Sequence, residues 1–247
     1  MDSMIYTAMT GAKHILEMQA NTSNNLANLN TGGFRAQIDT FRAVPVLGDG
    51  LPTRAFVADS TVGSDFTPGP MEQTGNSLDV AVQGSGWLAI DLGNGTQGYT
   101  RNGSLKINEN GLLQTQNGDN VMGVDDGPIT IPPDEQVAIA QDGTVSSIPR
   151  TGVLTSVNIL GQIKLVNPPA ATLVRGDDGF FRTRDGKPAP ADPNVAIASG
   201  MIEGSNVSAV SAMVDMISLG RQFEIQMKLL TNAQSNDTKA SQIMALV

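Results

Sequence analysis

Gly84-Ser85-Gly86-Trp87-Leu88-Ala89 has the outline of a phosphate-cradling loop, with glycines for close backbone approach and a small residue after them. That chemistry needs a helix directly behind the loop, with its first N–H groups aimed at the phosphate. Trp87-Leu88-Ala89-Ile90 instead continues as a strand, so nucleotide binding is disfavoured. Asp119, Asp125, Asp126, Asp177 and Asp178 offer the hard oxygens that calcium takes. None falls in an Asp-x-Asp-x-Asp-Gly loop, and they read as solvated turn carboxylates. Glycoside chemistry needs two convergent carboxylates, and among 24 acidic residues no pair is set apart by its surroundings. With no cysteine there is no thiolate nucleophile, thiolate zinc site or iron–sulfur cluster. The single histidine, His14, lies between Lys13 and Ile15 in a helical stretch and reads as a surface or interface imidazole. Asn94 and Asn102 sit in Asn-Gly turn signals that account for them without glycans. No catalytic, cofactor-binding or metal-binding residue is assigned, no cofactor is expected, and the chain reads as a non-enzyme.

The elements that hold these residues say more. The chain has 247 residues, 40% hydrophobic and 16% charged, with a formal charge of −9. An acidic balance argues against a nucleic-acid partner, which needs a basic face. No run approaches the ~18 apolar residues that cross a bilayer, so no membrane insertion is expected. The first cation is Lys13, so no cleavable secretory signal is expected either. All 13 prolines fall between Pro45 and Pro193, with 21 of the 27 glycines. Residues 1–45 and 203–247 are close to neutral, and the middle carries a net −8.

The proline-free ends read as helices. Ile5, Ala8, Ala12, Ile15, Gln19, Thr22, Leu26 and Leu29 recur at alternating gaps of three and four, a heptad stripe that stops at Thr31-Gly32-Gly33. Met216, Leu219, Phe223, Gln226, Leu230, Ala233, Asp237, Ala240, Met244 and Val247 repeat the pattern, and Val210, Met213 and Ile217 widen its apolar face. The centre reads as short antiparallel strands punctuated by Asn-Gly and Asp-Gly turns, with Trp87 as a core anchor. The fold class expected is α+β. Long N- and C-terminal α-helices (1–35 plus 203–247) form a coiled-coil-like unit, 78–186 form a central antiparallel β-rich domain, and 36–77 plus 187–202 form an extended connector.

Helices of about 30 to 40 residues would be roughly 45–60 Å long. A β domain of about 110 residues has a radius of gyration near 13 Å and offers no matching dock. Two helices bury only one seam, whereas each fully buried Leu or Phe is worth about 1.5–3 kcal/mol. The apolar surplus is therefore expected to be covered by neighbouring subunits, with stacking that does not close into a ring. Asn21, Asn24, Asn25, Asn28 and Asn30 crowd one helix although Asn is a poor helix former. They are expected to set register between packed chains, as a buried Asn does in coiled coils.

Three segments carry a family resemblance. Asn24-Asn25-Leu26-Ala27-Asn28-Leu29-Asn30-Thr31-Gly32-Gly33-Phe34-Arg35 resembles the N-terminal signature of the rod and hook axial proteins of the bacterial flagellum. Leu78–Trp87 with Tyr99-Thr100-Arg101-Asn102-Gly103-Ser104 is similar to their central motif, with Trp87 where Phe is usual. Gly200-Met201-Ile202-Glu203-Gly204-Ser205-Asn206-Val207 with Met213-Val214 and Ile217 is similar to their C-terminal signature. Within the group, the opening Met1–Ala12 most resembles the proximal-rod branch. A distal-rod or hook-like subunit is the nearest alternative, and a β-rich carbohydrate-acting enzyme a more distant one.

The resemblance implies a structural subunit of the basal-body rod that stacks helically to transmit torque and crosses the periplasm. It implies export through the type III apparatus, and partners among further copies, distal-rod FlgG and the more proximal rod proteins. The assembly interface would use Ile5, Ala8, Ala12, Ile15, Asn25, Leu26, Asn28, Leu29, Phe34, Met216, Leu219, Phe223, Leu230 and Met244. Gly32-Gly33 would permit the reversal out of the first helix, and Phe34 would plug an apolar gap beside it.

Overall fold

A computed structural model describes residues 2–45, 55–93, 95–133, 135–149 and 157–244. They fall into two compact units, and each is described by itself. The first contains residues 1–29, 36–65 and 207–247. Helix α1 (Asp2–Ala27) packs along α2 (Ala209–Met244), with Gly11 facing the side chain of Gln226. Ser208 precedes α2, and its hydroxyl accepts the Ser211 N–H, the bond an N-cap serine supplies. Strands β1 (Gln37–Pro45) and β2 (Ala55–Ser64) form an antiparallel hairpin that packs on α1.

The second unit, residues 30–35 and 66–206, is the β-rich body. Its largest sheet runs in space through Leu173–Arg175, Phe181–Thr183, Gln97–Thr100, Trp87–Asp91, Asn120–Val121, Leu113–Thr115 and Leu105–Ile107. Leu165–Val166 pairs with Trp87–Leu88 off that path. Glu135–Ile139, Thr144–Pro149 and Asn158–Gln162 make a three-stranded sheet, and all these pairings are antiparallel. Asn110-Gly111, Asn117-Gly118 and Asp142-Gly143 lie in tight connections between paired strands, each glycine at positive φ, where the hairpin signals place turns. Alternating side chains then fill one core of Val80, Val82, Leu88, Leu105, Leu113, Val121 and their neighbours. Trp87 belongs to a second core with Tyr99, Phe181 and Val166. Lys164, buried on this body, donates to Asp126 at 2.5 Å and holds that carboxyl below its usual range.

Two features of the expected architecture do not hold. The coiled-coil-like unit made of the two helices alone is replaced by a three-part packing of α1, α2 and the hairpin. Burial along the α1 stripe is confined to Ala8, Ala12 and Ile15, with Gln19, Thr22, Leu26 and Leu29 half-buried. A heptad stripe tells which positions seek cover and not what covers them; the later turns of α1 meet a strand as well as a helix.

Among the described residues, 36–77 and 187–202 likewise do not form a separate extended connector. Gln37–Pro45 and Ala55–Ser64 are the paired strands of the hairpin, with Pro45 closing the first. Met71–Gln73 pairs with Met201–Glu203, and Ala196–Ser199 pairs with Val80–Gln83, so each arm contributes strands to sheet. Proline density read as an extended linker because proline removes a ladder donor, yet strand ends and edges tolerate it.

Candidate assembly interface

In the helical unit, Ala8, Ala12 and Ile15 of α1 and Leu219 of α2 are buried, while Ile5, Met216, Phe223 and Leu230 are half-buried. The side chain of Met244 lies outside the described residues. A second set of apolar residues stays in solvent. Val210 is 73% exposed and Ile217 58%, and Met213 and Val214 beside them are also exposed. Spacings of three, four and seven put these four on one side of α2. Tyr6, Met9 and Leu16 form a similar exposed set on α1. Contiguous apolar surface of this kind marks an interaction site.

The asparagines have partners inside the chain. Asn25 Nδ2 donates to the Gln37 carbonyl at 3.0 Å, and the Gln37 N–H donates to Asn25 Oδ1 at 2.8 Å. The amide thus imitates a neighbouring strand and pins the start of the hairpin to α1. Asn21 donates to Asp39 one turn earlier, and Asn28 donates to the Asn24 carbonyl. His14 completes this joint. It is buried, its ring 5.4 Å from Phe41 in an edge-on arrangement, with Nδ1 3.0 Å from Glu17 Oε2. Asn25→Ala is expected to raise hydrogen exchange at the Gln37 amide about tenfold, the loss of one good hydrogen bond. Exchange read at Gln37 in the full chain checks it.

In the β body, Phe34 is buried and does not share a cluster with the helix residues. It lies beneath Arg175, whose guanidinium carbon is 4.3 Å from the ring centroid. Arg175 Nη1 donates to the Arg35 carbonyl at 3.0 Å, and burial draws its guanidinium pKa below the ordinary value.

Arg35 then turns inward and is 1% exposed. Its Nη2 donates to Glu203 Oε1 at 2.6 Å. Arg101 Nη1 donates to Glu203 Oε2 at 3.0 Å and to the Val82 carbonyl at 3.2 Å, while Nη2 reaches the Gly84 carbonyl. Burial is the main influence lowering the Arg101 pKa; Glu203 opposes it and Arg35 adds to it. Two guanidiniums therefore share one buried carboxylate, leaving an excess positive charge.

Each member of this cluster comes from a different one of the three signature segments, which are 66 and 102 positions apart along the chain. Gly33 seats the first against the second. Its φ is +68°, its N–H donates to the Glu203 carbonyl at 2.7 Å, and a Cβ there would lie 2.7 Å from the Arg101 carbonyl oxygen. The spacing of apolar residues gives no sign of this cluster. The available signal is a charge set inside each otherwise apolar or glycine-rich signature.

The model of the flagellar hook protein FlgE/F/G D1 domain matches residues 81–147, and that of the flagellar basal body rod FlgEFG protein C-terminal region matches 198–243. Together with a β body bearing helical ends, these matches place the chain in the rod and hook class of flagellar axial proteins. The flagellar basal-body rod protein FlgF of Escherichia coli K12 is 46% identical over the whole of both chains, and that of Salmonella typhimurium LT2 is 44% identical over the same extent. The rod protein FlgG of Agrobacterium fabrum is 32% identical over 92% of each chain. The chain belongs to the FlgF family of flagellar basal-body rod proteins: a structural subunit of the rod, not an enzyme.

Proposed function

We propose that the subunit builds the proximal part of the rod by stacking on further copies of itself through the exposed apolar faces of α1 and α2. The observation that carries this reading is the apolar set Val210, Met213, Val214 and Ile217, which a single chain leaves in water. Covering such side chains is worth about 1.5–3 kcal/mol each, enough to drive association when several are covered together. In the stack the helices make the inner tube and the β body an outer layer, and the assembly passes torque along the axis in the periplasm. Flanking positions belong to distal-rod FlgG and the more proximal rod proteins. The chain reaches this place through the type III apparatus.

Ile217→Asp puts a charge into the face to be covered. Basal bodies isolated from cells carrying it are expected to lack the rod beyond the proximal position, while purified protein keeps wild-type Trp87 fluorescence. Complete rods in such cells would refute stacking through this face.

A further inference from the structure

The chain crosses the boundary of the β body four times, at Asn30, Arg35, Phe66 and Asn206, and these four crossings are the exits through which both helices and the hairpin are joined to it. Inside the body, the segments at the exits are bonded to one another through a short stretch around Glu203. Its carboxylate holds Arg35 beside the second exit and accepts the Gly69 N–H at 3.0 Å, close behind the third. Its backbone carbonyl accepts the Gly33 N–H. Next along, the Gly204 N–H donates to the Pro70 carbonyl at 2.8 Å. Asn206, at the fourth exit, donates from its backbone to the Phe34 carbonyl at 3.3 Å and from its side chain to the Thr67 carbonyl at 3.1 Å. Arg101 ties the set to the body through Glu203, Val82 and Gly84.

As a source of stability this is a poor design. One carboxylate serves two cations, and Arg35 Nε and Nη1 and Arg101 Nε have no hydrogen-bond partner among the described residues. Apolar side chains of similar volume commonly stabilise an interior as well or better. What ionic bonds supply, and apolar contacts do not, is direction: a guanidinium fork meets a carboxylate in few geometries. Apolar packing lets segments slide past one another, whereas a bonded hub loads its bonds in parallel, so that they yield together.

We infer that the Arg35–Glu203–Arg101 cluster is a mechanical clamp that locks the four exits into one rigid group, so that force on the terminal helices enters the β body as a whole. The load comes from the rod reading given above; the clamp itself is tested without it. Arg35, Arg101 and Glu203 are positioning residues, and their bonds hold the exits together.

Hydrogen exchange on the full chain in solution reads the lock. In the wild type, the exit amides of Gly33, Gly69 and Asn206 are expected to exchange together with the sheet amides of Ala89 and Met122, since only opening of the whole body frees them. In Glu203→Gln the three exit amides pull ahead of the two sheet amides by about tenfold or more. Arg35→Met, which leaves Arg101 and Glu203 as a neutral pair, does the same at Gly33 and Asn206. Exit and sheet amides accelerating by one common factor would overturn the clamp, because the cluster would then only add to global stability. In cells, Arg35→Met is expected to leave rods complete and to lower the medium viscosity at which swimming stops. Rods missing from these cells, or swimming equal to wild type at every viscosity, would also overturn it. Refutation of helix stacking by Ile217→Asp would leave the exchange result standing.

Discussion

Gly33→Ala is expected to destabilise the β body by about 3–5 kcal/mol, among the largest effects a single methyl group has. Two costs add. An L side chain at φ +68° is strained by roughly 1–2 kcal/mol. The new Cβ would also overlap the Arg101–Asn102 peptide, which is backbone and cannot step aside. Relief requires residues 30–35 to lift off Arg101, which stretches the Gly33 bond to Glu203 and the Arg35 bond to the same carboxylate. Gly75→Ala separates the two costs. Gly75 has nearly the same angle, φ +73°, but no atom near its missing Cβ, so only the strain of about 1–2 kcal/mol is expected. Urea unfolding followed by Trp87, the single tryptophan, measures both, because its ring sits 5.5 Å from the Arg101 guanidinium. Equal losses at Gly33 and Gly75 would show that the close approach is relieved without cost.

Sequence reasoning reached the elements set by local chemistry. Proline-free heptads gave the two helices, Asn-Gly and Asp-Gly pairs gave turns of the β body, and Trp87 was read as a core anchor from its type and setting. It failed where the partner of a segment decides its form. Gln37–Pro45 alternates no more clearly than a connector, and it becomes a strand because α1 presents Asn21, Asn25 and His14 along it. Those asparagines were read as speaking to other chains; their amides are engaged within this one. The ionic cluster lay inside the three quoted signatures, but nothing in one dimension says that positions 35, 101 and 203 meet. Glu203 stands between Ile202 and Gly204 with nothing to mark it as buried, and the strand that holds it, Met201–Glu203, pairs with Met71–Gln73 and leaves it 1% exposed.

Glu203→Gln and Arg35→Met remove the same ion pair from opposite ends, and their effects on stability are expected to differ several-fold. Glutamine keeps the shape of Glu203 and can still accept from Gly69, but it leaves Arg35 and Arg101 as two buried cations with no counter-charge. Removing one partner of a buried pair costs about 3–5 kcal/mol. The mutual repulsion of the guanidiniums, already felt at Arg101, then stands unopposed. Methionine at 35 does the reverse. It takes away the surplus cation together with two nitrogens that have no partner among the described residues, fills much of the space of the arginine stem, and leaves Arg101 bonded to Glu203. A loss of about 1 kcal/mol or less is expected, the scale of one net hydrogen bond. For a body of this size each kcal/mol moves the midpoint by about 2–4 °C, so Glu203→Gln should melt about 10 °C lower and Arg35→Met within about 4 °C of wild type. The double variant should recover most of the Glu203→Gln loss, because only one cation is then left unpaired. Equal losses in the two single variants would mean that the excess charge is balanced by a group outside the cluster, and that Arg35 contributes bonding energy as well as direction.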